Sequence, residues 1–216
     1  TGVLAVASYQ PKAFNEEDIT LLENIASQAA LALDNARHHT QVEELARRDS
    51  LTGAFNHGYF ITRLKQAVEH SRQTGAPVSL IMLDIDHFKT YNDQYGHVMG
   101  DEVLCLIVQV IQAHIKHTDA VGRWGGEEFG ILLLNAPTEA ASLVADRIRK
   151  TLIEMPLADA SRAGREIPKP TVSQGIATFP DHVGDADQWV DLADTMLYKA
   201  KQQGRDQVQV AERLTR

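Results

Sequence analysis

The sequence predicts an α+β fold in which a central, mostly antiparallel sheet is flanked by helices and preceded by a long linker helix. Three observations support this. Residues 19–48 contain neither Gly nor Pro, which predicts one continuous helix. The mostly apolar run Val78–Leu83 is too short for a helix and predicts a buried strand. Two further apolar runs meet at Gly125-Gly126, which is typical of a β-hairpin.

The N-terminal part is predicted to form a strand and then the long helix. Residues 1–10 suit a strand, and the carboxylates of the polar segment Asn15-Glu16-Glu17-Asp18 suit the first turn of a helix. Two interpretations of the helix remain open: a surface helix packed on its own domain, or a short dimeric coiled coil, which the spacing favours. The heptad seam would consist of Leu31, Asn35, His38, Val42 and Leu45.

Residues 49–53 end this helix, and helices then alternate with strands. Helices are predicted over residues 59–74, 100–117, 138–154 and 187–203, the last of them ended by Gly204. Strands are predicted over residues 77–83, 120–124, 129–134, 171–177 and 207–210, and residues 158–170 form the one long irregular loop.

Composition restricts the classes of function. The 216 residues suffice for one full domain and a fragment, and their net charge is −8. Acidic character disfavours non-specific binding to nucleic acid or anionic membranes, although metal ions would permit a local nucleotide site. The single Cys105 excludes an intrachain disulfide and a Cys-based zinc site. Because the chain starts at Thr1 and carries neither a signal peptide nor a membrane span, we expect a cytoplasmic piece of a longer protein.

Acidic residues follow the apolar strands at two places. Asp84 ends the run that begins at Val78, and Glu127 and Glu128 come directly after the paired glycines. If the two strands are neighbours, these carboxylates converge at one edge of the sheet and suit hard, oxygen-ligated Mg²⁺. The alternative is a set of solvated carboxylates on a turn.

Basic residues that could contact phosphates lie outside the common nucleotide-binding motifs. Neither a Walker loop nor Gly-x-Gly-x-x-Gly occurs. Lys201 and Arg205 flank the end of the last helix, and Lys89 follows the Asp84 strand. A Lys at such a position also compensates the helix dipole, which is the plainer interpretation of Lys201.

Six segments follow one another along the chain: Asp49-Ser50-Leu51-Thr52-Gly53-Ala54-Phe55-Asn56, Asp84-Ile85-Asp86-His87-Phe88-Lys89, Asn92-Asp93, Tyr95-Gly96-His97-Val98-Met99-Gly100-Asp101, Arg123-Trp124-Gly125-Gly126-Glu127-Glu128-Phe129 and Tyr198-Lys199-Ala200-Lys201-Gln202-Gln203-Gly204-Arg205. In this order they resemble the GGDEF domain of diguanylate cyclases. The resemblance covers roughly residues 46–210 and implies a ferredoxin-like, palm-type cyclase fold. Residues 1–37 more loosely resemble the last strand and helix of a GAF sensor domain. The implied organisation is therefore a truncated sensor over 1–37, a coiled-coil linker over 38–48 and the cyclase domain over 49–216.

The resemblance implies an activity and a metal site. Members of the family join two GTP molecules into cyclic di-GMP and release two pyrophosphates, in an antiparallel pair of domains that form a homodimer. Two Mg²⁺ ions, with Mn²⁺ as the alternative, would be held by Asp84, the carbonyl of Ile85, Glu127 and Glu128. Glu127 is the first choice for general base, but a metal-bound Glu is a weak base, so its role as a ligand stays open.

The resemblance also implies the residues that contact GTP. Guanine would be bound by Asn92 and Asp101, and His97 would support the pocket. The phosphates would be bound by Lys201 and Arg205, with help from main-chain N–H groups of Phe88 and Lys89.

The sequence departs from the family pattern at two places. Ala54 and His57 replace the usual Leu and Arg near the start of the domain. In the product-inhibition motif Arg-x-x-Asp, Asp119 is kept but Lys116 replaces Arg, and an ammonium cannot bind bidentately as a guanidinium does. We therefore predict weak or absent feedback by cyclic di-GMP. Two other functions remain open: a non-catalytic domain that binds GTP or cyclic di-GMP, and a palm-type enzyme with other substrates.

Overall fold

The computed structural model describes residues 3, 5–9, 14–154, 170–184 and 187–214, with the side chains of residues 35–46 outside the description. The chain divides into two compact units, residues 1–46 and residues 47–216. None of the helices within the described ranges is both long and apolar enough to cross a membrane.

The first unit consists mainly of helix α1, Glu16–Arg47, which confirms the predicted long helix. Asn15 and Asp18 cap its start reciprocally, with each side chain accepting the main-chain N–H of the other at 2.9–3.0 Å. The predicted strand over residues 1–10 is absent from its described part, residues 3 and 5–9, where no described strand of this unit is available to pair with it. Of the heptad seam only the Leu31 side chain is described, and it is 63% exposed.

The second unit is built on a five-stranded sheet of order β2-β3-β1-β4-β5. Its strands are β1 Val78–Ile85, β2 Ala120–Arg123, β3 Glu128–Leu133, β4 Val172–Phe179 and β5 Val208–Val210, and its helices are α2 His57–Thr74, α3 Phe88–Tyr95, α4 His97–His114, α5 Thr138–Glu154 and α6 Asp187–Gln202. Among the described strand pairings, only that of β4 with β5 is parallel. The α+β prediction with a mostly antiparallel sheet is therefore confirmed, and strands β1 to β4 have the ferredoxin-like connectivity.

Helix α3 is the one described element that the sequence analysis did not predict. It is short and polar, and Gly96 separates it from α4 with a φ of 87°. Helix α4 consequently begins at His97 rather than at Gly100, and it ends at His114 because Ile115 is extended. Of the predicted irregular loop, residues 158–169 lie outside the described residues.

Strand β1 lies at the centre of the sheet and is buried at all eight positions. Its side chains alternate between two hydrophobic clusters, as the pleat requires. Ile81 and Leu83 belong to the cluster that includes α4 and α5, whereas Leu80 and Met82 belong to the cluster that includes α2 and α6. Helices thus cover both faces of β1, and its acidic residue Asp84 lies near the C-terminal end of the strand.

Candidate active site

The end of β1 lies beside the start of β3. Asp84 is opposite Glu128 in the antiparallel register, and the N–H of Ile85 donates to the carbonyl of Glu127 at 3.3 Å. Glu127 and Glu128 are both half-buried. The acidic residues singled out in the sequence therefore lie at one edge of the sheet.

Asp84 is buried in this cluster and is paired with a cation. Asp84 is 5% exposed, and the Nζ atom of Lys201 lies 2.8 Å from the Oδ2 atom of Asp84. Burial raises the pKa of Asp84 to about 6; Lys201 opposes this rise, and the charges of Glu127 and Glu128 add to it. The ionised carboxylate of Asp84 therefore requires a neighbouring positive charge that offsets the cost of its burial.

This donor set has the chemistry that a hard divalent cation prefers, namely carboxylates and a nearby main-chain carbonyl. Among the described residues, however, no three His, Cys, Asp or Glu side chains are grouped so that they could hold a metal ion. In this conformation the ammonium of Lys201 supplies the positive charge that Asp84 requires.

The hairpin turn before Glu127 is held by Arg123, which the sequence analysis did not assign a role. Its guanidinium donates to the carbonyl of Gly126 at 2.8 and 3.2 Å and to both oxygens of Asp49 at 3.1 and 3.2 Å. Burial raises the pKa of Asp49, but the hydrogen bonds from Thr52 and the charge of Arg123 outweigh it, so the pKa lies below its usual value. Arg123 thereby joins the start of the domain to the turn that carries the two glutamates.

A second group of polar residues lies between α3 and α4. The Oδ1 atom of Asn92 is buried without a hydrogen-bond partner among the described residues. Gly100 leaves room for it, since a Cβ there would lie 2.9 Å from Asn92 Cγ and 3.2 Å from Phe88 Cζ. Asp101 is the next residue on α4 and is exposed. Asn92 therefore lies against the residue that precedes Asp101, and a buried amide oxygen of this kind is a feature that a ligand donor would satisfy.

The remaining residues predicted to contact or surround GTP lie at the ends of helices. Phe88 is buried and Lys89 is exposed in the first turn of α3, where main-chain N–H groups have no intrahelical acceptor. His97 is exposed at the start of α4, and Arg205 is exposed in the turn that follows α6.

Lys116 and Asp119 are placed apart from the acidic cluster, at the opposite end of the β2–β3 hairpin. Asp119 is already engaged there: its Oδ2 accepts the N–H of Lys116 at 2.9 Å and its Oδ1 accepts the N–H of Leu134 at 3.0 Å. Lys116 itself is exposed.

Comparison with known proteins agrees with this architecture. Residues 46–207 match the family described as diguanylate cyclase, GGDEF domain. Diguanylate cyclase A of Treponema denticola is 35% identical over 202 residues, which are 92% of this chain and 52% of that protein. The probable diguanylate cyclase DgcC of Escherichia coli is 31% identical over 82% of this chain and 46% of its own length. The chain thus spans about half the length of the curated relatives it matches.

Solved structures give the same result. The coiled coil and GGDEF domain of DgcB from Caulobacter crescentus, in complex with c-di-GMP, superposes with a TM-score of 0.81 at 28% identity, over 89% of this chain and 100% of that one. The active GGEEF domain of a diguanylate cyclase from Vibrio cholerae gives a TM-score of 0.63 at 32% identity, over 71% and 94% of the two chains. Because the family match extends over most of the chain and includes strands β1 to β4 of the sheet, this chain belongs to the diguanylate cyclase GGDEF domain family.

Proposed function

We propose that this chain is the catalytic domain of a diguanylate cyclase, which condenses two GTP molecules into cyclic di-GMP and releases two pyrophosphates. The observation that carries the proposal is the pairing of the buried Asp84 with Lys201 at 2.8 Å, beside the two glutamates of the hairpin. This edge of the sheet combines carboxylates suited to metal ions with a cation suited to phosphates, which is what metal-assisted phosphoryl transfer requires.

The metal site in this proposal consists of Asp84, the carbonyl of Ile85, Glu127 and Glu128. Their oxygen donors are of the chemical type that suits two Mg²⁺ ions, with Mn²⁺ as the alternative, although the three side chains are not grouped for a metal ion in this conformation. When bound, these ions would neutralise the substrate phosphates and lower the pKa of the attacking hydroxyl. Glu127 and Glu128 act as ligands in this scheme, and Glu127 is also the candidate general base.

Selection of guanine is assigned to Asn92 and Asp101. The carboxylate of Asp101 can accept from guanine N1–H and the 2-amino group, and adenine offers no such pair of donors. The buried Oδ1 of Asn92 supports this assignment because it has no partner within the described protein. His97 borders the same region, while Lys201, Arg205 and the main-chain N–H groups of Phe88 and Lys89 are assigned to the phosphates.

The proposed reaction needs two copies of the domain, since the 3′-hydroxyl of one GTP attacks the α-phosphorus of the other. We therefore propose a homodimer that forms through residues 38–48 and through the cyclase domains, in the cytoplasm, with residues 1–37 as the end of a GAF-like sensor. Nucleic acid and membrane are not partners in this scheme.

Feedback by the product is proposed to be weak or absent. Lys116 replaces the arginine of the family motif, and both oxygens of Asp119 are used by main-chain N–H groups. Neither residue then offers the bidentate contacts that tight binding of a phosphate or guanine requires.

The proposal is tested by incubating the chain, with its dimer verified by light scattering, with GTP or ATP and Mg²⁺ and identifying the products by mass. We expect cyclic di-GMP from GTP only. The Asp84→Asn and Glu128→Gln variants should abolish it, whereas Glu69→Gln, on the exposed face of α2, should not. Binding of GTP without turnover in a verified dimer would contradict the proposal and favour a regulatory domain.

A further inference from the structure

Asp86 lies two residues after Asp84 in the same motif, yet its carboxylate is committed to other groups. It is 5% exposed. Its Oδ1 accepts from Ser173 Oγ at 2.7 Å, and its Oδ2 accepts from Thr171 Oγ1 at 2.7 Å and from the N–H of Asp206 at 3.0 Å. Three hydrogen bonds thus connect Asp86 to the start of β4 and to the turn that follows α6.

That turn has an unusual backbone. Gly204, Arg205 and Asp206 have φ angles of 113°, 63° and 42°, so three consecutive residues are left-handed and two of them carry side chains. Left-handed backbone costs free energy in residues other than glycine and persists only where surrounding contacts impose it. Arg205 and Asp206 therefore need specific contacts that hold them in this conformation.

Two side chains from distant parts of the chain hold Asp206. The first is Asp86, through the N–H of Asp206. The second is Arg149 on α5, whose Nη1 donates to the carbonyl of Asp206 at 3.3 Å and to its Oδ1 at 3.1 Å. Arg205 lies next to this anchored residue, and its own N–H donates to the carbonyl of Ala200 at 3.0 Å.

The anchored turn is directly connected to the candidate active site. Lys201, in the last turn of α6, contacts Asp84, so this end of the helix lies at the acidic cluster. Arg205 follows four residues later and has an exposed side chain. The backbone conformation of the turn therefore sets the direction of the Cα–Cβ bond of Arg205, and with it the region that the guanidinium can reach.

We infer that Asp86 and Arg149 are positioning residues that impose the left-handed turn 204–206 and thereby present Arg205 to the β- and γ-phosphates of the nucleotide. This inference rests on the proposed function. Neither residue would contact the substrate: both act through Asp206. The contacts of Asp86 differ from those of its neighbour Asp84, which pairs with Lys201.

The test compares an Arg149→Met variant with Arg213→Met as a matched control. Arg213 also pairs with a carboxylate, at 2.7 Å from Glu139, but both side chains are more than 60% exposed. An Asp86→Ala variant tests the second anchor independently, and it keeps the test decisive should Arg149→Met fail to fold. All variants carry Glu128→Gln to prevent turnover, and calorimetry measures the binding of GTP and of GMP in Mg²⁺.

We expect Arg149→Met and Asp86→Ala to weaken GTP binding by about tenfold, as expected for lost charge-assisted contacts. Binding of GMP, which lacks the β- and γ-phosphates, should be unchanged. Hydrogen exchange at the amides of Arg205 and Asp206 should become faster. Arg205→Ala should weaken GTP binding to a similar degree, and its combination with Arg149→Met should cause no further loss.

Three results would overturn the inference: unchanged amide exchange in the turn, equal weakening of GTP and GMP, or additive losses in the double variant. A parent chain that binds neither nucleotide would instead overturn the proposed function and the phosphate role together. Even then, the exchange experiment would decide whether Asp86 and Arg149 hold the turn.

Discussion

Gly175 lies where α6 packs on β4, and its replacement should perturb both the stability and the site. A Cβ at this position would lie 2.7 Å from the carbonyl carbon of Met196 and closer still to the N of Leu197 and the O of Ala193. All three are backbone atoms, so no side chain can rotate away. Gly175→Ala therefore requires α6 to move away from β4 as a whole.

The size of the effect follows from the interface that such a movement opens. Ala193, Met196 and Leu197 are at most 5% exposed, and they belong to the cluster on this face of the sheet. Overpacking usually costs about 1–3 kcal/mol. Because the obstructing atoms belong to the backbone of α6, Gly175→Ala should cost an amount at the upper end of this range. We therefore expect a loss of about 3 kcal/mol in the free energy of unfolding, or a decrease of about 6–12 °C in Tm.

The assay is chemical and thermal unfolding of Gly175→Ala beside Gly184→Ala, a control position where a Cβ would meet no atom of the described residues within 4 Å. Because α6 also carries Lys201, the KM for GTP should rise in the Gly175 variant alone. A loss below about 1 kcal/mol, the typical effect of any point substitution, would refute the reasoning that the backbone of α6 is fixed against β4.

Three further predictions concern charged groups. Lys201→Met should lower the free energy of unfolding of the metal-free protein at neutral pH by about 2 kcal/mol, less than for a fully buried pair because the Lys201 side chain remains 29% exposed. Mg²⁺ should restore the lost stability in thermal unfolding. An unchanged stability of the variant without Mg²⁺ would contradict the pairing with Asp84. Burial lowers the pKa of His182, so its neutral form is favoured in the folded state. The stability that this contributes should be fully present above about pH 6.5 and should be lost as the pH falls through the folded pKa. His182→Gln should reduce this pH dependence in unfolding experiments from pH 7.5 to 5.5, and an equal pH dependence in both proteins would contradict the prediction. Cyclic di-GMP should not inhibit the wild-type protein at micromolar concentration. Inhibition that disappears in Lys116→Ala would contradict this prediction, because it would show that a lysine is sufficient to bind the product. Lys116 is the better position for this test because Asp119 also accepts hydrogen bonds from main-chain N–H groups.

The elements that local patterns specify could be predicted from the sequence. The buried strand β1 and the hairpin with its glutamates follow from short apolar runs and paired glycines, and the long helix α1 follows from the absence of breakers. Helix α3 was not predicted because it is only eight residues long and is separated from α4 by a single glycine. Its one helical signal is the spacing of Phe88, Tyr91 and Tyr95, a repeat of only two turns in an otherwise polar segment, which is too short to distinguish a helix from a loop.

Contacts between remote positions could not be predicted in the same way. Arg123 and Asp49 are 74 residues apart, and Asp86 and Asp206 are 120 residues apart. Only the folded sheet brings such pairs together, because register and helix placement depend on packing of the whole domain. The residues that hold the candidate site in place were therefore missed, although the acidic residues within it had been identified.

The pairing of Asp84 with Lys201 was also not predicted, since the resemblance assigns one residue to metal and the other to phosphate. Burial makes an unpaired Asp84 carboxylate costly, and its pKa of about 6 reflects this. A divalent ion at the same carboxylate would supply the charge that Lys201 now supplies, and the ammonium would then be available for an anionic ligand. Metal and nucleotide phosphates should therefore bind cooperatively, because each compensates the charge that the other leaves unpaired. Titration of Mg²⁺ with and without GTP measures this coupling, and an unchanged Mg²⁺ affinity in the presence of GTP would contradict it.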